Sequence, residues 1–269
     1  MAKVYAITNQ KGGVGKTTTS VNLAASLAAT KRRILLVDLD PQGNATMGCG
    51  IDKSSLEYSV YDVLVASKPV TECIVEAPDF GFSILPSNQD LTAAEVELIN
   101  EIGREFRLRE ALAVVADQYD YILIDCPPSL NMLTVNALAA STGVVIPMQC
   151  EYYALEGLSA LINTINRVKQ LINPSLEIMG ILRTMYDGRN SLTNQVTDEL
   201  RRHFGDKVYS TVIPRNVRLA EAPSHGLPIL FYDKQSKGAL AYLALAGEIL
   251  RRSAATDISA NTQAEHIHG

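Results

Sequence analysis

Gly12, Gly13, Gly15, Lys16 and Thr17 stand in the stretch NQKGGVGKTTTS (residues 9–20) in the order that phosphate binding needs. Glycines let the chain curl, so that successive amide N–H groups and the amino end of a helix starting near Lys16 point at one set of phosphate oxygens. Lys16 adds a point charge for the β- and γ-phosphates, and Thr17 a hydroxyl for a magnesium ion. The run from Gly12 through Val14 to Thr18 is therefore the expected ATP-binding segment. The general pattern would place glycine at position 10, where this chain has Gln10; the mechanism does not depend on it. Lys11 is surplus to this account, a second lysine in a loop that needs one.

Three carboxylates complete the candidate site. VDLDPQGNAT (37–46) carries Asp38 and Asp40, and YILIDCPPSL (121–130) carries Asp125, each at the end of an apolar run. A lone aspartate closing a strand is often a turn former or helix cap. Three of them beside one phosphate loop predict a shared metal and water site, with Asp125 holding magnesium through water.

The elements that must position these residues alternate along the chain. Apolar runs at 4–8, 33–40, 82–86, 121–127, 143–148, 176–186 and 208–214 read as strands, several of them apolar on both faces. Helical patterns lie between them at 17–30, 91–99 continuing toward 109–118, 130–140, 154–172, 191–204 and 237–253. Strand, helix and strand in repetition predict an α/β fold, a doubly wound and mostly parallel sheet flanked by helices. In such sheets ligands bind at the carboxyl ends of strands, where the loop and the aspartates lie. Residues 1–252 are expected to form a single domain, and the polar tail 253–269, without apolar periodicity, to be disordered.

Composition narrows the function classes. The 269 residues are 47% hydrophobic and 20% charged, enough apolar material for a full core. No run reaches the roughly 18 apolar residues of a membrane span, and the opening MAKVYAITNQ enters a strand at once, so a cytoplasmic protein is expected. Cys49, Cys73, Cys126 and Cys150 form no CxxC pair, which predicts four reduced thiols. The net charge of −5 is uneven: residues 183–252 hold eleven Lys/Arg against seven Asp/Glu. That asymmetry permits a local basic face on an acidic protein.

The two-lysine loop KGGVGKTT resembles the deviant Walker A group of P-loop NTPases, which includes the ParA/Soj partition ATPases, the MinD cell-division ATPases and the nitrogenase iron protein. The resemblance narrows to the chromosomal ParA/Soj partition ATPases through VDLDPQGNAT, YILIDCPPSL, IPMQCEYYALEGL (146–158), TMYDGRNSL (184–192) and TVIPRNVRLAEAPSHGLPI (211–229). It implies a slow ATPase using ATP and Mg2+, in which Lys11 reaches across a homodimer to phosphates bound by the partner subunit. Asp40 then orients the attacking water, and Asp38 sits near the magnesium held by Thr17 and Asp125. The loop with Pro214 and Asn216 lies against adenine, and Arg189 and Arg218 belong to a DNA-binding face that Lys234 and Lys237 extend.

The implied cycle is a switch. An ATP-bound dimer binds non-specific double-stranded DNA on the nucleoid, and a ParB/Spo0J-type centromere-binding partner stimulates hydrolysis and release. Other readings within the superfamily are a positioning ATPase for a different cargo, a metal-cluster ATPase, or a MinD-like protein. The last would end in a basic amphipathic membrane helix, and the tail after Arg252 offers no apolar face, so no membrane partner is expected. An iron–sulfur role for Cys126 finds no supporting motif. Glu151 is a weaker candidate for the dimer seam.

Overall fold

A computed structural model describes residues 2–77 and 79–267, with side chains through Ala255. Eight strands among the described residues form one sheet: β1 Lys3–Ile7, β2 Ile34–Asp38, β3 Val75–Ala77, β4 Phe82–Leu85, β5 Tyr121–Asp125, β6 Gly143–Gln149, β7 Glu177–Tyr186 and β8 Val208–Pro214. Their order is β3-β4-β2-β5-β1-β6-β7-β8, and all pairs are parallel except β3 with β4. β3 is the one strand absent from the sequence reading; three residues on an antiparallel edge are too short to show a period.

Among the described residues twelve α-helices connect and cover the strands: α1 Lys16–Ala28, α2 Asn44–Gly48, α3 Val60–Leu64, α4 Val70–Cys73, α5 Leu91–Glu97, α6 Arg107–Ala113, α7 Met132–Ala140, α8 Ala154–Leu171, α9 Ser191–Phe204, α10 Val217–Glu221, α11 Ile229–Tyr232 and α12 Lys237–Ile267. The seven long patterns in the sequence correspond to α1, α5, α6, α7, α8, α9 and α12. The single-turn helices escape a periodicity argument, since four or five residues sample barely one repeat. The pattern running from 91 to 118 is broken between α5 and α6 because Gly103 takes a left-handed conformation (φ 70).

Strand residues alternate between two buried faces. Ile34 and Leu36 join Tyr5, Ile7 and Leu123 in the core shared with α1 and α12, whereas Leu35 and Val37 join Ala6, Ile122 and Ile124 in the core shared with α6 to α8. Covering both faces is why these strands read as unbroken apolar runs. Truncating a fully buried leucine such as Leu35 or Leu36 to alanine would cost about 2–5 kcal/mol.

α12 runs past Arg252 to Ile267, into the stretch whose polar composition predicts no order. Between Gly247 and Gly269 the chain has neither glycine nor proline, so nothing local ends the helix. Side chains beyond Ala255, and all of His268 and Gly269, lie outside the described residues. Among the described residues, no helix is long and apolar enough to cross a membrane.

Candidate active site

The chain reverses its direction of winding at β1, which is flanked by β5 on one side and β6 on the other. The crevice at this switch point holds the loop between β1 and α1. Gly13 and Gly15 adopt φ 74 and φ 87, conformations that cost an L side chain strain. Gly15 occupies the N-cap of α1, where no side chain caps the helix and no acidic residue lies in the first turn. The helix therefore keeps its amino-terminal N–H groups and partial positive charge for an anion.

Two residues, Asn9 and Thr184, brace this loop. Asn9 accepts from the Lys11 N–H at 3.0 Å while its amide donates to Pro147 O at 2.8 Å. Thr184 on β7 donates to Val14 O at 2.7 Å, with its methyl group against Gly15. Neither residue is a site candidate from sequence, because a hydrogen bond to a main-chain carbonyl leaves no motif. The Lys16 ammonium donates to Lys11 O at 3.1 Å and is nearly buried. Burial holds its pKa below the usual lysine value, opposed first by the nearby Asp125 and also by Asp40.

Asp38 and Asp125 are register partners on β2 and β5, both fully buried. Asp38 is fully engaged: Oδ1 accepts from the Asp40 N–H at 3.1 Å, and Oδ2 accepts from Thr46 N and Thr46 Oγ1, each at 2.8 Å. Through Thr46 it pins α2. Asp125 Oδ1 accepts from Ser20 Oγ at 2.8 Å, but Oδ2 is buried without a partner. Burial first, then repulsion from Asp38, push the Asp125 carboxyl well above the usual carboxylate range, against the pull of the Thr17 and Ser20 hydroxyls. An orphaned carboxylate oxygen beside the Thr17 hydroxyl fits a magnesium ion. Thr17 and Asp125 would hold it, and when bound it neutralises charge on the phosphates.

The raised Asp125 carboxyl makes the stability of the fold depend on pH. The protonated form is favoured in the fold, so this contribution is complete below about pH 4, the ordinary carboxylate pKa, and is lost as pH rises toward the folded value. Asp125→Asn should melt above the parent at about pH 8 without metal, with the difference vanishing toward about pH 4. The same variant should lose the stabilisation that Mg2+ adds to ATP. Thermal melts across that range, with and without Mg–ATP, check both outcomes.

Asp40 stands at the rim of a cleft of about 640 Å³ lined by Gly12, Gly13, Gly15, Lys16, Thr17 and Thr18 on one side and Pro127 to Ser129 on the other. Its Oδ1 accepts from the Gln42 N–H at 3.0 Å. Lys11 behaves differently from its neighbours. Its carbonyl faces Lys16, but its side chain leaves the loop and meets Glu151 at 2.5 Å, with about half of each side chain exposed.

An AAA domain family, AAA_31, matches residues 2–178. The sporulation initiation inhibitor protein Soj of Bacillus subtilis is 57% identical over 93% of this chain and 98% of its own length. The chromosome partitioning protein ParA of Myxococcus xanthus is 53% identical over 94% of this chain and 89% of its own. The chain belongs to the ParA/Soj family of chromosome-partitioning ATPases. Among solved structures, a Mycobacterium smegmatis protein described as cobyrinic acid a,c-diamide synthase, with bound ADP and magnesium, superposes with a TM-score of 0.82. It is 39% identical and covers 93% of this chain and 95% of its own. ATP and Mg2+ are thus the cofactors of this ParA/Soj site, in agreement with the orphaned Asp125 oxygen.

The remaining candidates of this ParA/Soj chain, Cys126 apart, follow β7 and β8. Pro214 closes β8 opposite Tyr186 of β7, two residues beyond Thr184 on that strand. Asn216 caps α10 by accepting from the Leu219 N–H at 3.2 Å. Arg189 is 91% exposed and grips Asp187 in a two-point ion pair. Arg218 meets Glu221 at 2.9 Å and Asp233 at 3.7 Å. Lys234 and Lys237 are exposed on either side of the buried Ser236. Cys126, beside Asp125, is buried, and burial pushes its thiol far up.

Proposed function

We propose that this ATPase is a nucleotide-controlled DNA clamp, and that Lys11 makes ATP the signal for dimerisation. Supporting this is the direction of the Lys11 side chain: it turns out of its own phosphate loop and rests on a surface glutamate. An exposed ion pair is worth only about 0–1 kcal/mol, so a phosphate on a second copy can displace Glu151 readily. A cation satisfied by a phosphate in trans ties assembly to bound nucleotide by linkage.

Closure would join two modest basic faces into one bivalent surface. Arg189 and Arg218 are held by exposed carboxylates, pairs weak enough to be exchanged for DNA phosphates. Contacts to phosphates carry no sequence information and weaken steeply with salt. Hydrolysis is slow in the isolated dimer and is stimulated by a ParB/Spo0J-type partner, which releases the dimer from the nucleoid and returns it to the cytoplasm. The biosynthetic description attaches to a chain 39% identical, whereas the Soj and ParA relatives reach 57% and 53%, and the partition reading follows the higher identity.

Retention of a random-sequence duplex at low salt tests the reading, with no nucleotide, with ADP–Mg and with ATP–Mg. The expected result is retention with ATP alone, lost in Lys11→Ala. Equal retention in all three states refutes the switch. Arg218→Glu should keep ATP-dependent dimerisation while losing DNA about tenfold or more, the order expected when a favourable charge is replaced by a repulsive one. Sizing and duplex retention measured together check that separation.

A further inference from the structure

Two glycines join the nucleotide cleft to the arginine-bearing loop. Gly50 ends the turn after α2 with φ 74, and Gly226 ends the APSHG turn after α10 with φ 64. The two backbones lie directly against each other: a Cβ added at Gly226 would fall 2.7 Å from Gly50 Cα and 3.2 Å from Gly50 N. A Cβ at Gly50 would fall 3.1 Å from Gly226 O. No flexible side chain stands between the segments to absorb a displacement, so movement of one must be passed to the other.

Both sides of this contact lead to functional residues. On the cleft side, α2 begins after the Asp40 loop, and Asp38 holds Thr46 of α2 by its N–H and its hydroxyl. Hydrogen bonds from Gly50 N to Met47 O and from Cys49 N to Ala45 O make α2 and its end one compact turn. On the other side, the His225 ring stacks on Tyr232 with centroids 4.9 Å apart. Tyr232 Oη donates to Glu221 Oε2 at 3.2 Å, and the same oxygen accepts from Arg218 at 2.9 Å. A second tie runs in parallel: Asn22 of α1, six residues beyond Lys16, accepts from the Ile229 N–H at 2.6 Å.

We propose that the Gly50–Gly226 contact is the strut through which the nucleotide state of the Asp38–Asp40 segment sets the position of Arg218. The inference rests on the DNA-clamp reading and adds its internal transmission: Gly50 and Gly226 are positioning residues, neither of them among the residues assigned to phosphate or to DNA. A shift of the Asp40 loop carries α2 with it, α2 pushes Gly226, and the His225–Tyr232 stack moves Glu221 relative to the guanidinium. Dimerisation, set by Lys11, is a separate consequence of ATP and does not need this strut.

The test compares the full chain with Gly226→Ala and Gly50→Ala. Gly103→Ala is the control for backbone strain, since Gly103 has φ 70 and nothing within 4 Å of its added Cβ. Each protein is measured for thermal midpoint, ATP–Mg-dependent dimerisation by sizing, ATP hydrolysis, and retention of random duplex with and without ATP–Mg. Gly226→Ala should dimerise as the parent does, yet its ratio of ATP to nucleotide-free retention should fall at least tenfold. Gly103→Ala should keep the parent ratio. Gly50→Ala, the milder clash, should show the same loss in smaller degree and supplies the result if Gly226→Ala does not fold. A parent with ATP-dependent retention and glycine variants that match it overturn the strut alone. A parent without ATP-dependent retention overturns the clamp reading and the strut with it.

Discussion

Lys16→Ala is expected to abolish measurable ATP binding while leaving the fold intact. The ammonium sits nearly buried at the amino end of α1, with Lys11 O as its hydrogen-bond partner, and burial lowers its pKa against the opposing pull of Asp125 and Asp40. Removing a cation that meets phosphate in a desolvated site costs about 2–5 kcal/mol, on the order of 30-fold to several thousand-fold in affinity. The apo protein should lose little, because burial already penalises this charge in the fold. Calorimetric titration with ATP–Mg beside a thermal melt separates the two effects. Retained affinity would take Lys16 out of the phosphate site, and a collapsed melt would make it structural.

The phosphate loop was legible because its chemistry is local: three glycines, one lysine and one threonine act within six residues, and each leaves its type in the sequence. The long elements were legible for a similar reason. A strand such as Ile34–Asp38, buried on both faces, must be apolar at every position that the two cores touch. What escaped reading acts across the fold. Thr184 steadies Val14 from 170 residues away through one hydroxyl, and Asn9 does so through an amide that any loop could carry. Asp38 was visible as a strand-end carboxylate, but its engagement with Thr46 depends on where α2 packs. The approach of Gly50 to Gly226 joins residues far apart in the chain, and no spacing rule links them.

Asp40→Ala is expected to separate binding from chemistry in the opposite sense to Lys16→Ala. The Asp40 carboxyl is half-buried at the cleft rim, its Oδ1 turned back to the Gln42 N–H and its own N–H given to Asp38. That bracing fixes the residue: Gly43 closes the loop with φ 62, where an added Cβ would meet Ser87 O at 2.9 Å. Oδ2 thus remains to accept a proton or orient a water on the phosphate side of the cleft. Loss of a positioned general base costs about 10²–10⁴-fold in rate, and this side chain's hydrogen bond goes to the Gln42 N–H and not to the phosphate loop. ATP affinity should persist, hydrolysis should fall by that factor, and the proposed ATP-bound dimer should accumulate, since hydrolysis is the exit proposed for it. Sizing with ATP–Mg, read against phosphate release, checks the pair of outcomes. Asp40→Asn sharpens the result, since it keeps an acceptor for Gln42 but removes the basic carboxylate. If the asparagine variant hydrolyses ATP like the parent, Asp40 serves the loop's shape; if it fails as the alanine variant does, the carboxylate itself acts on water.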